Sequence, residues 1–304
     1  MNNIYSIIGP TASGKSALAQ KIVKHLLKKN QKIILVSLDS KQIYQALPIL
    51  SGADLSLWHD FKNQITIYNL ADKSITDEWS LGLLVAQMQE ILAHLTNQQT
   101  IILVGGTLLY HQKILHQNNL TQIPPNDNLR LVAENMTLIE LQNWLKRISP
   151  STWKKLNHSD NHNPRRLIRK IEIEVAKCLN PTNYQNNLQL DYQQQFFLTN
   201  YEQSDLFNNI RTRVETRWKQ GAINEVEQII QSHPEIINDQ CFLEKMPLGF
   251  IEIKNYLLKE LTTEAAIKQW QIKEIQYAKR QIVFLKKLLA DHPHLIDQRK
   301  FFSN

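Results

Sequence analysis

The chain is 304 residues long, 42% hydrophobic and 21% charged, proportions that exclude wholesale disorder and leave room for a large core with a smaller domain attached. Its apolar runs fall far short of a membrane span and nothing signal-like precedes the first strand, so a cytoplasmic protein without membrane contact is expected. A net charge of +7 favours a polyanionic partner.

In chain order, the apolar run 4–8 predicts a strand, followed by Gly9-Pro10-Thr11-Ala12-Ser13-Gly14-Lys15-Ser16 and a helix over about 15–29. The octapeptide fits G-x-x-x-x-G-K-S, the phosphate-binding loop. Its glycines let the backbone curl until successive N–H groups converge on phosphate oxygens, and the helix behind adds its positive end. Lys15 supplies a point charge to the outer phosphates, and Ser16 a hydroxyl for Mg²⁺.

Residues 33–38 read as a strand buried on both faces, ending in Asp39-Ser40-Lys41-Gln42-Ile43-Tyr44. Ligands of open α/β sheets bind beyond the carboxyl ends of the strands, which sets Asp39 beside the loop. Three roles are open to it: a metal-positioning carboxylate, a general base, or a helix cap. Ser40 and Gln42 favour recognition of an adenine edge.

A strand over 65–68, a helix over 79–95 and a strand over 100–104 come next. The last breaks at Gly105-Gly106-Thr107, where glycines suit either close approach to a ligand or a tight turn. Alternating strands and helices predict the α/β class, as a P-loop NTPase-like, parallel, doubly wound sheet. Residues 117–127 are rich in Asn, Gln, Thr and Pro and mark a connection. Beyond it the chain is mainly helical, over 138–146, 164–179, 204–232 and 263–289, with a last strand at 195–198.

Arg166, Arg169 and Lys170 fall near one helical face, which suits a solvated surface, a phosphate-backbone contact or a lid. In the final helix Ile275, Ala278, Ile282, Leu285 and Leu289 form an apolar stripe, with Lys273, Arg280 and Lys287 nearly opposite. Cys178 and Cys241 lie far apart without ligand spacing, and His158, His162, His292 and His294 sit in polar stretches. No transition-metal site is expected.

Together these segments resemble the tRNA dimethylallyltransferase (isopentenyltransferase) family. The family's G-P-T-A-S-G-K-[ST], D-S-x-Q-x-Y, G-G-T-x-L-Y, N-D-P-x-R-x-x-R-A-x-E, G-x-x-x-E-V, G-Y-[KR]-E and A-K-R-Q segments correspond here to residues 9–16, 39–44, 105–110, 162–172, 221–226, 249–252 and 278–281. The resemblance implies a monomer in which a P-loop core (1–117 and 177–304) carries a helical insertion (118–176) that grips the anticodon arm of tRNA. It implies that the loop holds dimethylallyl diphosphate with Mg²⁺ on Ser16, and that N6 of the adenosine 3′ to the anticodon accepts the prenyl group.

By the same resemblance Asp39 is the general base, and Lys15, Ser16, Thr11 and Arg213 stabilise the departing diphosphate. Contacts to tRNA fall to Asp39, Ser40, Lys41, Gln42, Thr107, Arg130, Arg165, Arg166, Arg169, Lys279, Arg280 and Gln281. The chain departs from the pattern at Leu108, Asn209, Ile251 and Glu274-Ile275, and has His162-Asn163 for Asn-Asp. The rival readings are prenylation of free adenine nucleotides, a nucleoside or nucleotide kinase, and a tRNA-binding protein without chemistry.

Overall fold

A computed structural model describes residues 2–96, 99–116, 123–179, 192–235 and 237–291. In chain order these form β1 (Asn2–Ile8), α1 (Lys15–Leu27), β2 (Lys32–Ser37), α2 (Pro48–Ser51), a 3₁₀ helix (Leu55–Phe61), β3 (Ile65–Tyr68), α3 (Leu81–Ala93), β4 (Gln99–Val104) and α4 (Leu108–His116). Then come α5 (Asp127–Glu134), α6 (Leu138–Ile148), α7 (Pro150–Lys154), α8 (His158–Asn161), α9 (Pro164–Leu179) and β5 (Tyr192–Leu198). The final helices are α10 (Gln203–Arg217), α11 (Ile223–Ser232), α12 (Gln240–Lys245), α13 (Phe250–Leu257) and α14 (Thr263–Asp291).

The chain divides into two compact units. The first comprises Met1–Trp79, His94–Gln112 and Asp191–Asn304, the second Ser80–Ala93 and Lys113–Leu190. The helical unit thus takes in α3 and differs at both ends from the 118–176 insertion read in the sequence.

In the first unit five parallel strands run in the order β3-β2-β4-β1-β5. The near-continuous apolar sequences of β2 and β4 suit interior strands. Tyr5, Ile7, Leu35, Ile102 and Phe197 from the sheet pack with Ala19, Ile22 and Leu26 of α1 and with Trp58 and Phe61 of the 3₁₀ helix. A second core joins Ile43, Leu47 and Leu50 to Val214, Val226, Phe250 and Trp270, so the C-terminal helices hold the segment after β2.

The carboxyl ends of the strands are tied together by backbone bonds: Leu38 N–H donates to Val104 O (2.7 Å), Thr107 N–H to Leu38 O (3.1 Å), and Thr199 N–H to Ile8 O (3.0 Å). This fixes the mutual spacing of the loop, Asp39 and the Gly105-Gly106 turn.

Two sequence expectations change. The single helix over 204–232 is α10 and α11 separated by a wide turn at Trp218–Ala222, because Gly221 takes φ +118° and breaks the hydrogen-bond ladder. Helix α4, directly after Thr107, is an element the sequence reading lacked. The 117–122 part of the expected connection, the 180–191 stretch, His292 and His294 lie outside the described residues.

In the second unit Leu129, Ala133, Leu141, Leu145, Leu167 and Ile171 form the core shared by α5, α6 and α9. A capping box between Thr137 and Glu140 starts α6, and Asn126 caps α5 through Leu129 N–H (3.0 Å).

Candidate active site

Beyond the strand ends of the first unit lies a cavity of about 550 Å³. Thr11, Ala12, Gly14, Lys15 and Ser16 line it from the loop, Asp39, Ser40, Lys41 and Gln42 from the end of β2, Arg213 from α10 and Arg280 from α14. Gly9, Pro10 and Ser13 stand behind this wall. Pro10 O accepts from both Lys15 Nζ (2.6 Å) and Ser13 Oγ (2.8 Å), and Ser13 Oγ shares a 2.6 Å hydrogen bond with Thr199 Oγ1. The loop is therefore internally braced, and its lysine is folded back over it.

Charge in the cavity is dense. Crowding of the Lys15 ammonium by protein pushes its pKa down to about 8; Asp39 opposes this and Arg213 adds to it. Asp39 Oδ1 accepts from Lys41 N–H (3.0 Å), a local turn that aims the carboxylate. Arg213 donates to Thr11 Oγ1 (3.1 Å) and Gly52 O (3.2 Å), with Asp54 at 3.8 Å. Tyr277 also lines the space, and burial, then the nearby Asp39, raise its pKa.

Several residues read as tRNA contacts have structural partners. Gln281 is buried, only 4% exposed. Its Oε1 accepts from Thr11 N–H (2.8 Å) and its Nε2 donates to Gly106 O (2.7 Å), so both ends of the amide are consumed in strapping the loop to the glycine turn. Gln281, which the resemblance assigns to tRNA, thus has both amide atoms engaged within the protein. Gln42 Nε2 donates to Gly52 O (2.7 Å). Lys41 Nζ caps the end of α12 through Glu244 O (3.1 Å) and Lys245 O (2.7 Å), and Thr107 Oγ1 accepts from Ser40 N–H (3.2 Å).

Lys279 is exposed, its ammonium 5.6 Å from the Phe207 ring centroid, while Arg280 stands 5.9 Å from that of Tyr277. Lys273, expected on a basic face, is ion-paired to the buried Glu252. The Gly105-Gly106 turn is selected by protein packing: a Cβ on Gly105 would overlap the Leu38 backbone, and one on Gly106 would stand 2.6 Å from Gln281 Nε2.

In the helical unit, Arg130 and Arg169 both meet Glu172, at 2.7 and 3.0 Å. Burial alone would raise the Glu172 pKa; the hydrogen bonds from Arg130, Asn126 N–H and Arg169 outweigh it and hold the carboxylate ionised. Arg166 pairs with Asp160 (2.7 Å), and Arg165 is exposed. These arginines belong to a different unit from Asp39, Thr107, Lys279 and Arg280.

The cavity also contains residues the sequence reading passed over: Asp54, Arg217, Glu244 and Tyr277. Asn209, Arg213 and Arg217 recur every four residues along α10 and all face it; that spacing was the available signal. Among the described residues no group of three or more His, Cys, Asp or Glu is arranged to hold a metal ion, and no helix is long and apolar enough to cross a membrane.

A phosphate loop, a strand-end acid and arginines from a C-terminal helix around one cavity define a P-loop enzyme of the doubly wound α/β class. The sequence model of the IPP transferase family matches residues 42–288, and the chain belongs to that family. It is 28% identical over 299 residues to a tRNA dimethylallyltransferase of Rickettsia massiliae, covering 95% of this chain and 78% of the relative. It is 29% identical over 288 residues to a tRNA dimethylallyltransferase of Azobacteroides pseudotrichonymphae, covering 93% and 88%.

Two solved structures agree in fold. One is a eukaryotic dimethylallyltransferase acting on tRNA (TM-score 0.75, 21% identity, 97% of this chain and 73% of that one). The other is an isopentenylpyrophosphate transferase of Bacillus halodurans (TM-score 0.58, 24% identity, 93% and 86%).

Proposed function

We propose that this chain is a tRNA dimethylallyltransferase, moving the dimethylallyl group of dimethylallyl diphosphate to N6 of the adenosine 3′ to the anticodon. The observation that carries the reading is the convergence of Lys15, Ser16, Asp39 and Arg213 on one cavity. N6 attacks the C1 carbon of the donor, the C1–O bond breaks, and the diphosphate departs with the bonding electrons. Asp39 takes the N6 proton as general base.

Lys15, Thr11 and Arg213 hold the negative charge that grows on the leaving group, and such preorganised stabilisation is the largest contribution expected. Oxygen donors suit Mg²⁺, and the hydroxyl of Ser16 on the cavity wall is the residue to hold it. When bound, that ion would supply further positive charge to the diphosphate. The adenosine leaves its stack to reach Asp39, at a cost of a few kcal/mol. Arg165, Arg166, Lys279 and Arg280 are assigned to the tRNA backbone, with Arg130 and Arg169 contributing from their pairs with Glu172. The protein acts as a cytoplasmic monomer.

The test is a transfer assay with radiolabelled dimethylallyl diphosphate and Mg²⁺, offering unmodified tRNA and free AMP, ADP and ATP in parallel. Label in tRNA, abolished by Asp39→Ala while tRNA affinity stays within a few-fold, is expected. Label in the free nucleotides, or in neither acceptor, overturns the reading.

A further inference from the structure

Arg217 is a buried guanidinium on the wall of the same cavity, 6% exposed, and the mechanism above leaves it unused. It lies one helical turn beyond Arg213 on α10. Both guanidiniums reach to Gly52: a Cβ there would overlap the Nη2 atoms of both arginines, so these two nitrogens are near neighbours. Like charges so close repel, and the repulsion is visible at Arg217, whose pKa is pushed down to about 10 by burial first and by Arg213 second.

The internal counter-ions are loosely engaged. Asp54 stands 3.8 Å from Arg213, and Glu274 3.3 Å from Arg217, longer than the ~2.7–2.9 Å of a strong charge-assisted hydrogen bond. The other polar contact of Arg217 is to Leu50 O, at 3.4 Å. Glu274 also accepts from Trp270 Nε1 (3.4 Å), so it has a second partner when Arg217 turns away.

We propose that Arg217 and Arg213 form a two-guanidinium clamp on the diphosphate, and that Glu274 is the counter-ion that restrains Arg217 until the anion arrives. The proposal rests on reading the loop as a diphosphate site. Two adjacent planar forks match the several oxygens of a diphosphate better than one fork and a lysine. The anion would remove the repulsion between the arginines, an advantage realised only while it is bound.

The test uses the full chain with inorganic diphosphate and Mg²⁺ in calorimetric titration, without tRNA, alongside steady-state kinetics. Arg217→Gln is expected to raise the diphosphate Kd and the KM for dimethylallyl diphosphate about tenfold, leaving the KM for tRNA within about twofold. Glu274→Gln frees the guanidinium and is expected to tighten diphosphate about threefold. A purely scaffolding Arg217 predicts otherwise: unchanged diphosphate affinity in folded Arg217→Gln, or weaker binding in Glu274→Gln, and either result overturns the clamp. If Arg217→Gln does not fold, Glu274→Gln decides alone, tightening in favour and anything else against. Wild-type protein that binds diphosphate through Arg217 but transfers no label would keep the clamp and lose the proposed activity; transfer with binding indifferent to Arg217 would do the reverse.

Discussion

Replacing Gln281 by methionine separates a strap from a surface contact. The two side chains are similar in volume, so the change removes one acceptor and one donor without opening a cavity. The groups abandoned are Thr11 N–H and Gly106 O, bonded at 2.8 and 2.7 Å to a side chain that is 4% exposed. Two ordinary hydrogen bonds contribute about 2 kcal/mol net, rising to about 4 kcal/mol if both backbone groups stay buried and unpaired. Urea denaturation of Gln281→Met should therefore show a lower midpoint at unchanged slope. The KM for dimethylallyl diphosphate should rise, because Thr11 belongs to the loop. Affinity for tRNA, measured by filter binding at fixed salt, should move little. Wild-type stability with selectively weakened tRNA binding would refute the strap and restore Gln281 to the tRNA surface.

Gly52→Ala places a methyl group where two guanidiniums lie, at a residue with φ +66°. It should reduce transfer far more than the ~1–2 kcal/mol that a left-handed alanine costs in stability, and equal kinetics to wild type would contradict the packing described. Lys15, with its pKa near 8, loses its charge as pH rises through that value. Diphosphate should bind about tenfold more weakly at pH 9 than at pH 7 if only the ammonium binds, and calorimetry giving a flat profile would count against it.

His111 is fully buried, its Nε2 3.3 Å from Gly105 O, and burial drives its pKa down to about 3. The unfolded chain then takes up the proton first as pH falls below about 6.5, so stability is lost there, on the order of 2 kcal/mol by pH 5. His111→Phe should lack that part of the acid sensitivity in urea midpoints at pH 7 and pH 5; an identical drop in both proteins would disprove the assignment.

The loop and its flanking elements were legible because their signals are local. An apolar run, a glycine-bearing turn and a helical period need no knowledge of distant residues, and β1, α1, β2, β4 and α9 appear within a few residues of expectation. Asp39 was legible for the same reason, since it ends a strand. What escaped was anything decided by long-range packing. Gln281 sits in the run Ala278-Lys279-Arg280-Gln281, where Lys279 and Arg280 are exposed while it is buried; only the fold distinguishes them. Arg217 was passed over and Glu274 noted only as a departure from the family pattern, because burial of an ion pair leaves no local trace. Glu172 ends the 162–172 segment, but nothing local shows that Arg130 and Arg169 meet it. Short elements such as α2 and the 3₁₀ helix are held by contacts to Val214, Phe250 and α1 rather than by their own propensity.

The Gln281 strap also sets an order in time. Gln281 and the loop residue it holds, Thr11, are 270 positions apart, and β5, the strand beside β1, follows the helical unit in the chain. At roughly 5–20 residues per second, a ribosome takes about 15–50 s to go from the phosphate loop to the glutamine that fastens it. Throughout that interval the nascent loop lacks its strap, and until α10 has been made it also lacks Arg213 and Arg217. A growing chain therefore has no finished cavity in which to hold a diphosphate until α14 has been made as far as Gln281.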